Sequence, residues 1–175
     1  MQRLARLEVG TANQLDEESF EDLIIGLAQP GYRLAWALLR DGDAAKDVVQ
    51  DASVIAWRKM GGLGDRGRFR SWFLGIVANE CRNARRKVAR VHIGLPSDVA
   101  QASHEDRAVD RADLRRALQQ LGYEDRLVVV LSFYLDLPIA EVAKIAGTSE
   151  GAARVRLHRA VRRLRPNVAM EEDLT

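Results

Sequence analysis

The sequence predicts an all-α protein of two small helical domains joined by a flexible linker, and three observations predict it. Almost every readable segment repeats its apolar residues at helical spacing, and no convincing run alternates as a strand would. Glycine and proline are not enriched in the 175 residues, so most of the chain should fold. A polar, acidic stretch with Pro96 and no sustained period, over about 91–108, separates two periodic modules over about 19–90 and 109–166. Residues 1–18 read as an N-terminal extension and 167–175 as a frayed tail, with Glu171, Glu172 and Asp173 too few to mask a basic helix.

The first helix opens at Ser19, with Asp22 three residues on as a capping-box-like acid and Phe20, Leu23, Ile24 and Leu27 as its apolar stripe. Pro30 and Gly31 should break or kink it. A second stretch, about 32–40, ends at the turn-like Asp41-Gly42-Asp43. The third helix runs from about Ala44 to Met60. At ~100° per residue, Ala45, Val48, Val49, Ala52, Ile55 and Ala56 share one face, and Asp47, Asp51, Val54 and Arg58 share another. A glycine-rich loop with Asp65, Arg66 and Arg68 follows. A fourth helix, capped by Ser71, runs to about Arg90 with Phe73, Val77, Cys81, Ala84 and Val88 inward. Trp72, Asn79, Asn83, Arg86 and Arg90 lie roughly opposite. An aromatic, two amides and arginines suit nucleic acid better than water, because bases stack on rings and guanidiniums reach phosphates.

In the second module, Leu114, Ala117, Leu118 and Leu121 form one stripe, and Leu127, Val130, Leu131 and Tyr134 the next. Pro138 fits a first helical turn, and Ile139, Val142, Ala143 and Ala146 give that short helix one apolar face. Gly147 suits a left-handed C′ position, and Ser149 or Thr148 caps the next helix. There Ala153, Leu157, Ala160, Val161 and Leu164 point inward, and arginines surround the rest. A short helix, a glycine turn and a longer arginine-studded helix make a helix-turn-helix.

Charge supports a polyanionic partner. The net charge is only +2, but Arg82–Arg90 holds five basic residues and Arg154–Arg165 six arginines and a histidine, neither with an acid. Between them, Ser97–Asp113 carries five acids and two arginines. Two cationic elements on either side of an acidic spacer suggest two contacts with one polyanion. The single cysteine, Cys81, excludes an intrachain disulfide and reads as a small buried residue. An enzyme of the carboxylate-bridged di-metal kind needs Glu-x-x-His spacing, and none of His92, His104 and His158 has it. No catalytic constellation, metal or cofactor is expected. No apolar stretch nears the ~20 residues a membrane span needs, and the N-terminus lacks a signal-peptide core, so a cytoplasmic protein is expected.

The stretch DLPIAEVAKIAGTSEGAARVRLHRAVRRLR resembles the region 4 helix-turn-helix of extracytoplasmic-function sigma factors, members of the sigma-70 family. DAAKDVVQDASVIAWRKM resembles their region 2 core-binding helix, and FRSWFLGIVANECRNARRK their −10-recognising segment; the resemblance covers about Ser19 to Arg165. It implies a non-enzymatic RNA polymerase subunit, monomeric within the holoenzyme, that confers promoter recognition and DNA melting. It implies core polymerase as partner, through the β′ clamp helices and the β flap, with Asp47, Gln50, Asp51, Trp57 and Arg58 at the clamp. It implies −10 contacts from Asp65, Arg66, Arg68, Phe69, Arg70, Trp72, Asn79, Asn83, Arg85, Arg86 and Lys87. It implies −35 contacts from Ser149, Glu150, Gly151, Ala152, Arg154, Val155, Arg156, His158 and Arg159, and an anti-sigma factor as a further partner. The chain departs from the family at Ala78, where an arginine is frequent, and at Asn83, where an aspartate is common. The usual Gly-Thr-Val-Lys-Ser reads Gly151-Ala152-Ala153-Arg154-Val155, which removes hydroxyls that could touch DNA, so no promoter sequence carries over. The competing reading is a helix-turn-helix regulator that acts without polymerase, which would leave the outward acids at 47 and 51 unexplained.

Overall fold

The computed structural model describes residues 2–62, 65–91 and 117–168, with side chains over 20–61, 65, 67–90 and 117–164. The described residues form helices: α1 (Gln2–Leu39), α2 (Gly42–Lys59), α3 (Phe69–Val91), α4 (Tyr123–Val129) continued by a π-helical turn (Val130–Tyr134), α5 (Ile139–Ala146) and α6 (Glu150–Val168). Short 3₁₀ turns over Met60–Gly62 and Arg66–Arg68 flank the glycine loop. The expected linker falls outside the described residues, apart from Val91, which closes α3, as do Leu114 and the acidic tail.

α1, α2 and α3 pack on one another around Leu34, Ala35, Leu38, Ala45, Val48, Ala52, Ala56, Phe69, Phe73, Leu74, Val77 and Cys81, all buried. The expected break at Pro30-Gly31 does not occur, nor does a helix start at Ser19: α1 runs through both. Proline at 30 cannot donate to the carbonyl of Gly26, four residues back. Gly26 is exposed, so water can take that carbonyl. The buried face through Leu27, Gly31, Leu34 and Leu38 then outweighs the lost bond. Gly31 serves contact rather than a turn: a Cβ there would stand 3.1 Å from Phe73 Cε1, so its absence lets α1 approach α3.

α1 ends where Arg40 turns into the left-handed region at φ 62, with its N–H donating to the Trp36 carbonyl at 2.8 Å. Asp41 then caps α2, its carboxylate accepting from the Asp43 and Ala44 N–H groups at 3.0 Å. α3 begins at Phe69, two residues before the expected cap; the Ser71 hydroxyl instead donates to the Arg68 carbonyl at 3.2 Å.

In the second module α5 follows Pro138, which stands at its N-cap, and ends at Gly147, left-handed at φ 67 as its turn requires. The Ser149 hydroxyl accepts from the Ala152 N–H at 3.2 Å and caps α6, whose Ala153 and Ala160 are buried. Two stripe positions depart from expectation: Val88 is 57 % and Tyr134 is 53 % exposed. The π-helical turn accounts for Tyr134. Its Val130 carbonyl accepts from the Leu135 N–H five residues on, which puts the stripe out of phase with a 3.6-residue repeat.

The two modules share one core. Leu127, Val128, Leu131, Leu135, Leu137 and Val142 belong to the same buried cluster as Leu34 and Phe73. Burial pushes the Cys81 thiol up to about 12 and the Tyr123 phenol well above its usual range. The unfolded chain therefore ionises these groups first as pH climbs past 9, while the folded chain keeps its protons. The thiol's contribution to stability is fully present below pH 9 and is lost between pH 9 and 12, and the phenol's is lost from pH 10 upward, each by up to about 1.4 kcal/mol per pH unit. The melting temperature should drop across that window, and Cys81→Ser should flatten its lower half.

Candidate functional site

Three surfaces gather the residues singled out by sequence. The first is the outer face of α2. Asp47, Gln50, Asp51, Trp57 and Arg58 are all exposed, and among the described residues neither Asp47 nor Asp51 enters an ion pair. Nearby, Lys46 pairs with Asp43 at 2.9 Å instead. The side of Trp57 rests edge-on against Phe20, with ring centroids 5.0 Å apart, which holds the indole at the rim of the acidic face.

The second surface follows the glycine loop. Asp65 accepts from the Gly67 N–H at 2.8 Å and pairs with Arg68 at 3.3 Å, so this acid shapes the loop. The Arg66 side chain lies outside the described residues. On α3, Asn79, Asn83, Arg86 and Lys87 are exposed on one side, and Trp72 is half-buried against Phe69 at 5.6 Å. Phe69 corrects the sequence reading. It is 1 % exposed and packed between Phe20 and Phe73, so it supports the surface from beneath and cannot stack on a base in this conformation. Arg70 and Arg85 are turned toward the second module, Arg70 donating to the Leu135 carbonyl and Arg85 lying 4.4 Å over the Tyr123 ring.

The third surface is the start and outer side of α6. Ser149, Glu150, Gly151, Ala152, Arg154, Val155, His158 and Arg159 are exposed. Glu150 pairs with Arg154 at 3.6 Å across one helical turn. Arg156 is half-buried, 3.7 Å from Glu124 and 3.8 Å from Asp125. Asp125 also takes Arg163 at 3.0 Å. These groups frame a hollow of about 440 Å³ lined by Asp125, Gly151, Ala152, Val155, Arg156, Arg159 and Arg163. The small residues at 151 and 152 leave the helix backbone open there, with Arg154, Arg156 and Arg159 on its flank.

Sequence reasoning missed Glu124 and Asp125, which with Arg163 of the basic run hold the third surface together. Their only signal was two acids in the first turn of α4, which reads as ordinary dipole compensation. It also missed Arg40, Arg82 and Arg126, which join the modules.

Residues 27–91 match the family model described as Sigma-70 region 2, and residues 111–164 that of Sigma-70, region 4. The chain is 32% identical over 141 residues to the ECF RNA polymerase sigma factor SigL of Mycobacterium tuberculosis, covering 77% of this chain and 80% of that protein. It is 34% identical over 161 residues to the RNA polymerase sigma factor CarQ of Myxococcus xanthus, covering 85% and 88%. Among solved structures, the fold is similar to that of the sigma factor RpoE of Bartonella quintana, described in complex with the anti-sigma factor NepR. That likeness has a TM-score of 0.75 at 24% identity, over 88% of this chain and 99% of the other. CnrH, described in complex with the cytosolic domain of CnrY, has a TM-score of 0.67 at 24% identity, over 95% and 97%.

Proposed function

This chain belongs to the extracytoplasmic-function group of the sigma-70 family and is an RNA polymerase sigma factor for transcription initiation; from that premise we propose how its three surfaces divide the work. The face of α2 carrying Asp47, Gln50, Asp51, Trp57 and Arg58 docks on the β′ clamp helices of core polymerase, and region 4 also rests on the β flap. The free carboxylates at 47 and 51 are the observation that carries this assignment. They are outward, solvated and unpaired among the described residues, so a basic partner surface gains their charge without breaking anything first.

The glycine loop and the outer side of α3 capture the −10 element. Asp65 and Arg68 hold the loop, and Arg66, Arg70, Arg85, Arg86 and Lys87 meet the backbone of the opened strand. Trp72, Asn79 and Asn83 meet its bases. Opening the duplex costs a few kcal/mol per unstacked base, and polymerase contacts together with both DNA elements offset that cost. α6 lies in the major groove of the −35 element. Arg154, Arg156 and Arg159 are placed to offer bidentate contacts to guanine, with His158 and Val155 beside them and Ser149, Glu150, Gly151 and Ala152 close to the phosphates. The protein works in the cytoplasm as a monomer within the holoenzyme. No helix among the described residues is long and apolar enough to cross a membrane. Two structural relatives are described in complexes, one with an anti-sigma factor and one with a cytosolic domain, and an anti-sigma factor is the proposed negative regulator here.

Purified core polymerase supplemented with this protein should yield discrete promoter-dependent transcripts from a genomic template, absent with core alone. No such transcript from any genomic fragment would refute the proposal. Free protein should bind DNA weakly, with affinity falling steeply between 50 and 200 mM salt because phosphate contacts dominate.

A further inference from the structure

The hollow beside α6 contains a carboxylate where a polyanion is proposed to lie. Asp125, from the first turn of α4, has about three-quarters of its side chain buried and lines that hollow together with Gly151, Ala152 and Val155. Its two oxygens are used differently. Oδ2 accepts a hydrogen bond from Arg163 Nη1 at 3.0 Å. Oδ1 stands 3.8 Å from Arg156 Nε, and Glu124 Oε2 stands 3.7 Å from Nη1 of the same guanidinium. Those last two distances are too long for hydrogen bonds but short for charge. Arg156 is therefore steered by two carboxylates without giving up its donors. Arg163 lies seven residues further along α6 and within about 20° of Arg156 around the helix. One acid of α4 thus spans two turns of α6, locked by the outer arginine and orienting the inner one. Arg159, between them along the helix, enters no ion pair among the described residues.

We propose that Asp125 is a positioning residue for −35 recognition: anchored by Arg163, it holds Arg156 in the orientation that offers its donors to a base edge, and it lowers general affinity for DNA while sharpening the choice of sequence. This rests on the assignment of α6 to the −35 duplex and deepens it. Two arguments support it. The first is preorganisation. An unengaged arginine samples many rotamers, must be immobilised on binding, and is drawn to whichever phosphate is nearest. A guanidinium already steered loses less freedom and is aimed at one place, which a bidentate contact with guanine requires. The second is that a carboxylate is otherwise unfavourable here. A negative charge on a surface that meets phosphates weakens binding to every sequence. Discrimination is a difference between two affinities, so it survives a loss common to both.

Asp125→Asn keeps the shape of the side chain and removes its charge. The free full-length variant should bind a fluorescein-labelled 20-base-pair duplex of random sequence about two- to fivefold more tightly than the parent, because the surface becomes more positive and two arginines are released to phosphates. Discrimination should move the other way. On a promoter fragment that the parent holoenzyme transcribes, affinity is compared with that for the same fragment carrying a scrambled −35 element. The ratio should fall by about three- to tenfold in holoenzyme assembled with Asp125→Asn, as one bidentate contact is weakened. Arg163→Gln separates charge from position. It should weaken random-duplex binding, as a lost cation must, yet lose discrimination as Asp125→Asn does, because an unanchored Asp125 closes onto Arg156 and occupies its donors. The double variant should discriminate no worse than Asp125→Asn alone. A residue that only held region 4 together would weaken both kinds of binding in step and lower the melting temperature, and that outcome overturns the proposal. So does discrimination lost at a single cytosine and unaffected by Arg163→Gln, which would make Asp125 a direct reader of that base. Equal discrimination by parent and variants overturns it while leaving α6 on the −35 duplex. A parent indifferent to the scrambled element would instead remove that assignment, and the role of Asp125 with it.

Discussion

Asp51→Arg should lower affinity for core polymerase by about ten- to a hundredfold, while leaving the binding of a −35 duplex by the same chain unchanged. The argument is one of charge and position. Asp51 sits mid-way along α2 on its exposed flank, about 100° round from the stripe of Ala45, Val48, Ala52 and Ala56, whose burial fixes the helix against α1 and α3. Its carboxylate is exposed and makes no ion pair among the described residues, so the folded chain loses almost nothing when it is replaced; surface changes of this kind stay within about 0.5 kcal/mol. Against a basic docking surface the change is twofold, since an attraction is removed and a like-charge contact is created. Juxtaposed like charges at an interface cost several kcal/mol when desolvated, and about 1.4 kcal/mol is a factor of ten in affinity. Asp47, one helical turn earlier, faces the same way, and Asp47→Arg should act in the same direction. The measurement is a titration of core polymerase with labelled protein at two salt concentrations. The loss should shrink at high salt as the repulsion is screened. Equal core affinity for variant and parent would remove the acidic face from the docking assignment.

Why α2 was legible in the sequence and other parts were not follows from the range of the interactions concerned. The acidic face, the glycine turn at 147 and the Ser149 cap are local: each depends on a few neighbouring residues and a helical period. The structure keeps them, Gly147 left-handed and Ser149 accepting from Ala152. Pro30 is equally local as a signal, but its effect is decided by packing. The buried face of α1 against Phe73 carries the helix past a residue that would end an isolated one. The Tyr134 stripe failed because a π-helical turn changes the period within an otherwise continuous helix. Phe69 was assigned to the DNA surface by the family resemblance of its segment, whereas its ring is claimed by Phe20, Trp72 and Phe73. The module interface left no readable trace at all. Arg40, Arg70, Arg82 and Arg126 pair with backbone carbonyls 63 to 89 residues away, and a carbonyl has no letter in a sequence.

Arg126→Met should destabilise the chain by about 3–5 kcal/mol, the largest loss expected of any single substitution at the module boundary. Arg126 is only 7 % exposed, and its guanidinium donates to four carbonyls: Leu118 at 2.9 Å, Leu121 at 2.7 Å, Ala37 at 3.2 Å and Leu38 at 3.4 Å. Burying that charge is itself unfavourable. Desolvation first, then the nearby cations Arg40 and Arg85, bring its pKa down to about 10. Where a buried ion pair is replaced whole by apolar side chains, relief of desolvation often makes the exchange neutral or stabilising. Here only one side of the interaction can be removed, because the acceptors are main-chain groups. Methionine fills much of the volume and donates nothing, so the four carbonyls are left with no donor from this side chain, each worth about 1–3 kcal/mol if it stays dry. Partial hydration and loosening of the interface bring the total toward the lower end of their sum. Arg126→Lys separates charge from geometry. Its compact ammonium restores the charge but not the planar fork that spans two pairs of carbonyls, so it should recover less than half of the loss. Chemical denaturation of parent, methionine and lysine variants gives the three stabilities directly. A methionine variant as stable as the parent would mean that water reaches these carbonyls freely, and the guanidinium would then not be what holds region 4 to the end of α1.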